Sequence, residues 1–269
     1  MEEMKEMNTK TGITGSTLKI IAMVCMLIDH IGAVILERYL YANGLSYKTM
    51  QMMVEGGFGN LQKVVIADLI LRLIGRLAFP IFCFLLVEGF YYTSNRAKYV
   101  LRLFLFALIS EVPFDFAFKN SWLEFSYQNV FFTLTIGLLT IWGIDEIQKR
   151  ICERSEDQKK HAMSCSLIRL LGIIIGGVVA AMLSTDYAWV GVATIGLMYI
   201  FREKSKNWEM GMGCLMLIAS SPLEVSSFIN LALVGHYNGQ RGLRLKYVFY
   251  AFFPLHLLIL GLICRLIGV

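Results

Sequence analysis

Five ionisable side chains interrupt apolar runs of this 269-residue chain: Asp29 and His30 in LKIIAMVCMLIDHIGA, Arg76 in LRLIGRLAFP, Glu111 in FALISEVPFD and His256 in AFFPLHLLIL. A charge near a bilayer centre costs between about 2.5 and 17 kcal/mol depending on the method, so such groups are kept for function. At about 1.5 Å per helical residue, Asp29 and His30 lie roughly twelve residues into their run, and Arg76 and His256 roughly ten into theirs. Glu111 is also deep, so the five share one central slab. Their types suit proton and acyl chemistry. Histidine takes a proton from an attacking amine or hydroxyl near neutral pH, a carboxylate can orient it, and Arg76 or a protonated His256 can stabilise charge on a carbonyl oxygen where water is excluded. Adjacent helical residues point about 100° apart, so Asp29 and His30 diverge. Asp29 is therefore expected to pair with Arg76, and His30 to face another neighbour such as His256. Each has a plainer alternative. A membrane histidine is often an interhelical hydrogen-bonder worth about 0.6–2 kcal/mol, and Arg72, one turn before Arg76, can snorkel to the surface.

These groups need elements to hold them. The chain is 57% hydrophobic and 17% charged, with four prolines and a mean hydropathy of +0.61. Soluble domains run about 45–50% apolar and about 25% charged, so a soluble domain, disorder and a disulfide scaffold are all excluded. The expected fold is all-α, a single polytopic membrane domain over 1–269. Spans of roughly 20 residues fall at 18–37, 66–92, 98–118, 129–148, 165–183, 187–202, 208–221, 223–237 and 247–268, about nine in all, with the sixth to eighth short. With residues 1–17 cytoplasmic, sixteen Lys and Arg fall on inner segments and five on outer ones, the bias expected of the cytoplasmic side. That bias accounts for the net charge of +5 without nucleic acid. Residues 149–164 are read as a cytoplasmic linker and 39–65 as an external loop or lid. Thr14, Ser16 or Thr17 caps a helix near Leu18. Pro80, Pro113 and Pro254 are expected to break their helices and open a polar cavity between spans 1, 2, 3 and 9. The six cysteines are read as small hydrophobes. The scattered histidines, with no i, i+4 pair, give no metal site.

Six blocks in this order resemble the TraX family of bacterial membrane proteins: LKIIAMVCMLIDHIGA (18–33), LRLIGRLAFPIFCFLLVEGF (71–90), KYVLRLFLFALISEVPFD (98–115), QNVFFTLTIGLL (128–139), YNGQRG (237–242) and KYVFYAFFPLHLLIL (246–260). The resemblance spans nearly the whole chain. It implies N-terminal acetylation of pilin with acetyl-CoA as donor, in a protein of the bacterial cytoplasmic membrane, and a distant likeness to membrane-embedded acyltransferases with an essential early-span histidine. That histidine maps to His30, with Arg76 in RLAFP and His256 in PLHL as further motif residues. The block around Glu111, Pro113 and Asp115, and Asn129 in QNVFFT, also match.

The expected function is acyl transfer, most simply acetyl transfer, from cytosolic acyl-CoA to an amine or hydroxyl of a protein, sugar or lipid at the outer face. His30, Asp29, Arg76 and His256 form the expected catalytic set. Arg96, Lys98, Arg102, Arg241, Arg244 and Lys246 are expected at the CoA mouth, although positive-inside bias alone places cations there. Arg72, Glu111, Asp115 and Asn129 are expected near the acceptor. The alternatives are a proton-coupled transporter, which inverted repeats would mark, and a non-catalytic assembly factor for surface appendages.

Overall fold

The computed structural model describes residues 11–45, 59–151, 158–244 and 246–269, with the side chains of 158–160 and 246 outside the description. The expectations for residues 1–10, 46–58 and 152–157 therefore lie outside the described residues, including most of the proposed lid. Every long element is helical. Helix α1 (Gly15–Ala42) is continuous, and its middle, Ile31–Leu36, is wound as a π-helix directly after His30. Thr14 caps it, its side-chain oxygen accepting from the Thr17 backbone N–H at 3.3 Å. Then come α2 (Gly59–Gly75) and α3 (Ala78–Tyr92), split at Arg76–Leu77. Next are α4 (Arg96–Lys119), α5 (Val130–Ile151), α6 (Gln158–Met182), α7 (Ala188–Phe201) and α8 (Lys206–Ser220). A 3-10 turn, Pro222–Ile229, leads into α9 (Asn230–Gly235), and α10 (Lys246–Ile267) closes the bundle.

By length and composition, five stretches can cross a membrane: α1, α2 with α3, α5, residues His161–Met182 of α6, and Tyr247–Ile267 of α10. The helix α4 is 24 residues long but carries six Asp, Glu, Lys or Arg side chains. The helices α7 and α8 have 14 and 15 residues, and Pro222–Gly235 is also short. The outward faces are apolar. Leu167, Leu170, Leu171, Ile174 and Ile175 on α6, and Leu255, Ile259, Leu262 and Leu266 on α10, are all exposed. So large an unburied apolar surface calls for a non-aqueous surrounding.

Proline behaves differently at its three positions. Pro80 lies in the first turn of α3, just after the break, where its missing N–H costs nothing. Pro113 and Pro254 do not break their helices, contrary to expectation, and lie inside α4 and α10. These two helices pack against each other along their length, so tertiary contact keeps both continuous. The external loop is also shorter than expected, because α1 runs on to Ala42 and α2 already starts at Gly59. Cys25, Cys83, Cys214 and Cys264 are free and buried, whereas Cys165 is disulfide-bonded and not a free hydrophobe.

The YNGQRG segment pairs with the residues leading into α1. Ile13 N–H donates to His236 O at 2.9 Å, Asn238 N–H to Ile13 O at 2.9 Å, and Gly15 N–H to Gln240 O at 2.8 Å. Gly242 has φ +70° and abuts Thr14 and Ser16, where a Cβ would collide with both side chains. The two segments form a floor under one end of the bundle.

Candidate functional site

His30 and His256 meet between α1 and α10, with His30 Nδ1 2.6 Å from His256 Nε2 and the ring planes parallel to within 6°, edge to edge at a centroid distance of 4.9 Å. The next contact sets the protons. His256 Nδ1 lies 2.7 Å from the carbonyl oxygen of Phe252, which only accepts, so His256 carries its hydrogen on Nδ1. With both rings neutral, His256 Nε2 accepts from His30 Nδ1–H, and the lone pair of His30 falls on Nε2. The chain Phe252 O, His256, His30 thus fixes one tautomer, the part a carboxylate plays in triads. His256 is 5% exposed, while His30 lines a cavity of about 370 Å³.

That cavity is walled by α1, the α2–α3 break, α3, α4 and α10, with Tyr127, Asp186 and Tyr187 added from two turns. The break is what aims Arg76 inward. Its Nη1 donates to Glu224 at 3.2 Å and to the Tyr187 hydroxyl at 3.3 Å, and its Nη2 is 3.9 Å from Asp29. Among the described residues Arg76 Nε has no partner. The expected Asp29–Arg76 pair is present at 3.9 Å, and Arg72, at 2.5 Å, holds Asp29 more closely. Arg72 precedes the break and so stays on the α2 face that meets α1, where Nε also lies 3.6 Å from Glu37. Gly75 is needed at this crossing, since a Cβ there would overlap the Asp29 side chain.

Tyr187 was not foreseen. It stands in the left-handed region (φ +60°) between Asp186 and α7, and its ring stacks on Phe79 at 3.7 Å. Ser184 and Ala188 also have positive φ, so the α6–α7 turn is strained where it enters the cavity. Asp186 accepts from the Tyr127 hydroxyl at 2.7 Å, and burial pushes its carboxyl above the usual carboxylate range. The sequence signals were thin: an acid between two short apolar runs, and Glu224 inside a third.

Glu111, Asp115 and Asn129 lie outside the lining of this cavity. Asn129 Nδ2 donates to Glu111 and to Ala107 O, and its Oδ1 accepts from Phe131 N–H at 3.0 Å, so the pair fastens α4 to the start of α5. Asp115 accepts from Glu124 N–H at 2.7 Å and shapes the turn after α4.

A second cavity, about 600 Å³, opens toward the floor made by YNGQRG. Of the six expected cations, Arg102 and Arg241 line it, joined by the unforeseen Lys19. Arg96 is instead engaged by Asp145 at 2.5 Å and Glu146 at 3.3 Å. Lys98 and Arg244 are exposed outside the lining, and the Lys246 side chain lies outside the described residues. Met26, Phe82, Val130 and Phe253 line both cavities and form an apolar neck between them.

Set against known proteins, residues 14–264 match the model of the family described as TraX protein. The chain is 26% identical over 215 residues, 71% of its length and 81% of the other's, to a Dichelobacter nodosus protein described as "Probable fimbrial assembly protein FimC, serogroup H1". No solved structure matches it.

Proposed function

The chain belongs to the TraX family, and from that premise we propose that it is a membrane acyltransferase that moves an acetyl group from cytosolic acetyl-CoA to an amine or hydroxyl at the outer face. The observation that carries this reading is the His256–His30 relay, which leaves a basic ring nitrogen at a cavity. In this orientation the basic cavity is the inner chamber and the His30 cavity the outer one. The nine-span course, with α7, α8 and Pro222–Gly235 as short crossings, belongs to the same proposal.

The inner chamber receives the nucleotide end of the donor on Lys19, Arg102 and Arg241, and the thioester passes the neck. The acceptor enters the outer chamber. Its nitrogen or oxygen attacks the thioester carbonyl carbon while His30 Nε2 takes its proton. Arg76, which lines the outer chamber, brings its positive charge to the oxygen that gains charge. The tetrahedral adduct collapses, the C–S bond breaks, and the proton on His30 passes to the departing sulfur. The products are the amide or ester and CoA thiol. The similar protein's fimbrial name makes a pilin N-terminal amine the first acceptor to try.

The test is purified protein in nanodiscs with radiolabelled acetyl-CoA. Donor binding, with His30-dependent CoA release, is the expected result. No binding by folded protein overturns the reading.

A further inference from the structure

A third cavity, about 500 Å³, adjoins the inner chamber and shares Glu88, Tyr92 and Gly239 with it. Its wall includes Glu209, which is 0% exposed and, among the described residues, has no partner for either carboxyl oxygen. Neither cation of the lining bonds to it. Arg202 is held by Glu88 at 2.8 Å and 3.0 Å, and Lys206 Nζ donates to Tyr237 O at 2.9 Å. Leaving a buried carboxyl without hydrogen bonds costs about 1–3 kcal/mol or more. A wall that bears that cost is short of a hydrogen-bonding ligand.

Several features say what the ligand is. Of the two cations in its lining, Arg202 is ion-paired with Glu88 and only Lys206 lacks an ion-pair partner among the described residues, while Lys19, Arg102 and Arg241 stand together next door. A flat platform edges it: Tyr92 is 72% exposed, and the Arg202 guanidinium lies 4.1 Å from the centroid of Tyr91 and 5.9 Å from that of Tyr92. A carboxyl accepts from an exocyclic amine and, when it carries its proton, also donates to a neighbouring ring nitrogen. Adenine presents that pair on one edge and a face for stacking. Ten residues of α3, about 15 Å of helix, separate Phe82 at the neck from Tyr92 at the chamber, a span suited to an extended pantetheine arm.

We propose that this side chamber is the adenine site of the acyl-CoA donor, with Glu209 reading the amine edge of the base and Tyr92 supporting its face. The proposal rests on the acyl-CoA reading above. It divides donor recognition into phosphates on the basic inner chamber, base in the side chamber and arm through the neck.

The test is binding of radiolabelled acetyl-CoA to the full chain in nanodiscs, with unlabelled acetyl-pantetheine, which lacks the nucleotide, as competitor. Glu209→Leu is expected to weaken acetyl-CoA by about 10- to 100-fold and leave acetyl-pantetheine unchanged. Glu209→Gln keeps a donor and an acceptor side by side, as glutamine does against adenine, and restores most of the loss. Tyr92→Ala, at an exposed position, weakens acetyl-CoA alone and serves if Glu209→Leu does not fold. If the variants bind both donors as wild type does, or lose both equally, the adenine site is wrong and the enzyme reading stands. If folded wild type binds neither donor, both fall.

Discussion

His256 does for His30 what a carboxylate does in a triad, without bringing a negative charge into an apolar bundle. His256→Ala should therefore lower kcat by about 10²-fold or more and leave donor KM unchanged, as when a positioned base loses its orientation. Single-turnover CoA release measures this, and unchanged kcat would make the dyad structural. Glu111 and Asn129 predict the opposite pattern. Asn129→Leu leaves Glu111 buried and unpaired, a loss of about 1–3 kcal/mol visible as a lower Tm, while protein that stays folded keeps its kcat. Gly75→Ala should do both, since the added methyl displaces Asp29 and overpacking costs about 1–3 kcal/mol. At this scale the sequence was legible in depth but not in direction. Burial cost brought Asp29, His30, Arg76 and His256 to notice, and all but His256 line one cavity. Arg72 holds Asp29 more closely than Arg76 does because the helix break at Arg76–Leu77 turns Arg76 toward Glu224 and Tyr187, which no helical wheel contains.

Two elements set the geometry that the side chains exploit. The π-helical turn Ile31–Leu36 adds a residue directly after His30, so it fixes how the lower half of α1 is rotated against the upper. Deleting Ala33 should restore α-helical winding with both flanks still in register, remove the widened turn directly after His30, and lower transfer in protein that still elutes as a monodisperse peak. Activity retained in that deletion would mean that the turn does not position the site. The neck makes a separate prediction. Phe82 and Phe253 are two of its four side chains, and truncating either to alanine should raise use of hexanoyl-CoA relative to acetyl-CoA. A ratio of the two donors equal to wild type would show that chain length is selected elsewhere. Hydropathy foretold the long helices well. It also placed α7, α8 and Pro222–Gly235 and read them as short. Local rules failed at Pro113 and Pro254, where packing between α4 and α10 overrides the tendency to break.

Across the whole molecule, the two chambers open toward opposite ends and meet only at the neck, so sidedness is a central prediction. Impermeant maleimide on intact cells should label Ser121→Cys, in the turn after α4, and spare Ser94→Cys, between α3 and α4. The reverse pattern would invert the donor and acceptor ends. Charge counting supplies the same orientation because Lys and Arg collect on the segments that include Ser94. It could not tell which of those cations face a cavity: Arg102 and Arg241 do, while Arg96 is spent on Asp145. The floor beneath the inner chamber carries one more consequence, for biogenesis. Ser16 accepts from Leu243 N–H across 227 residues of sequence, so the earliest part of the bundle to leave the ribosome waits for nearly the last. A chain still being threaded into the bilayer has no floor, and the proposed nucleotide contacts are incomplete. For the proposed acyl transfer, competence then arrives in one late step, after the membrane has received almost everything else, and a stalled or truncated product is expected not to consume acetyl-CoA.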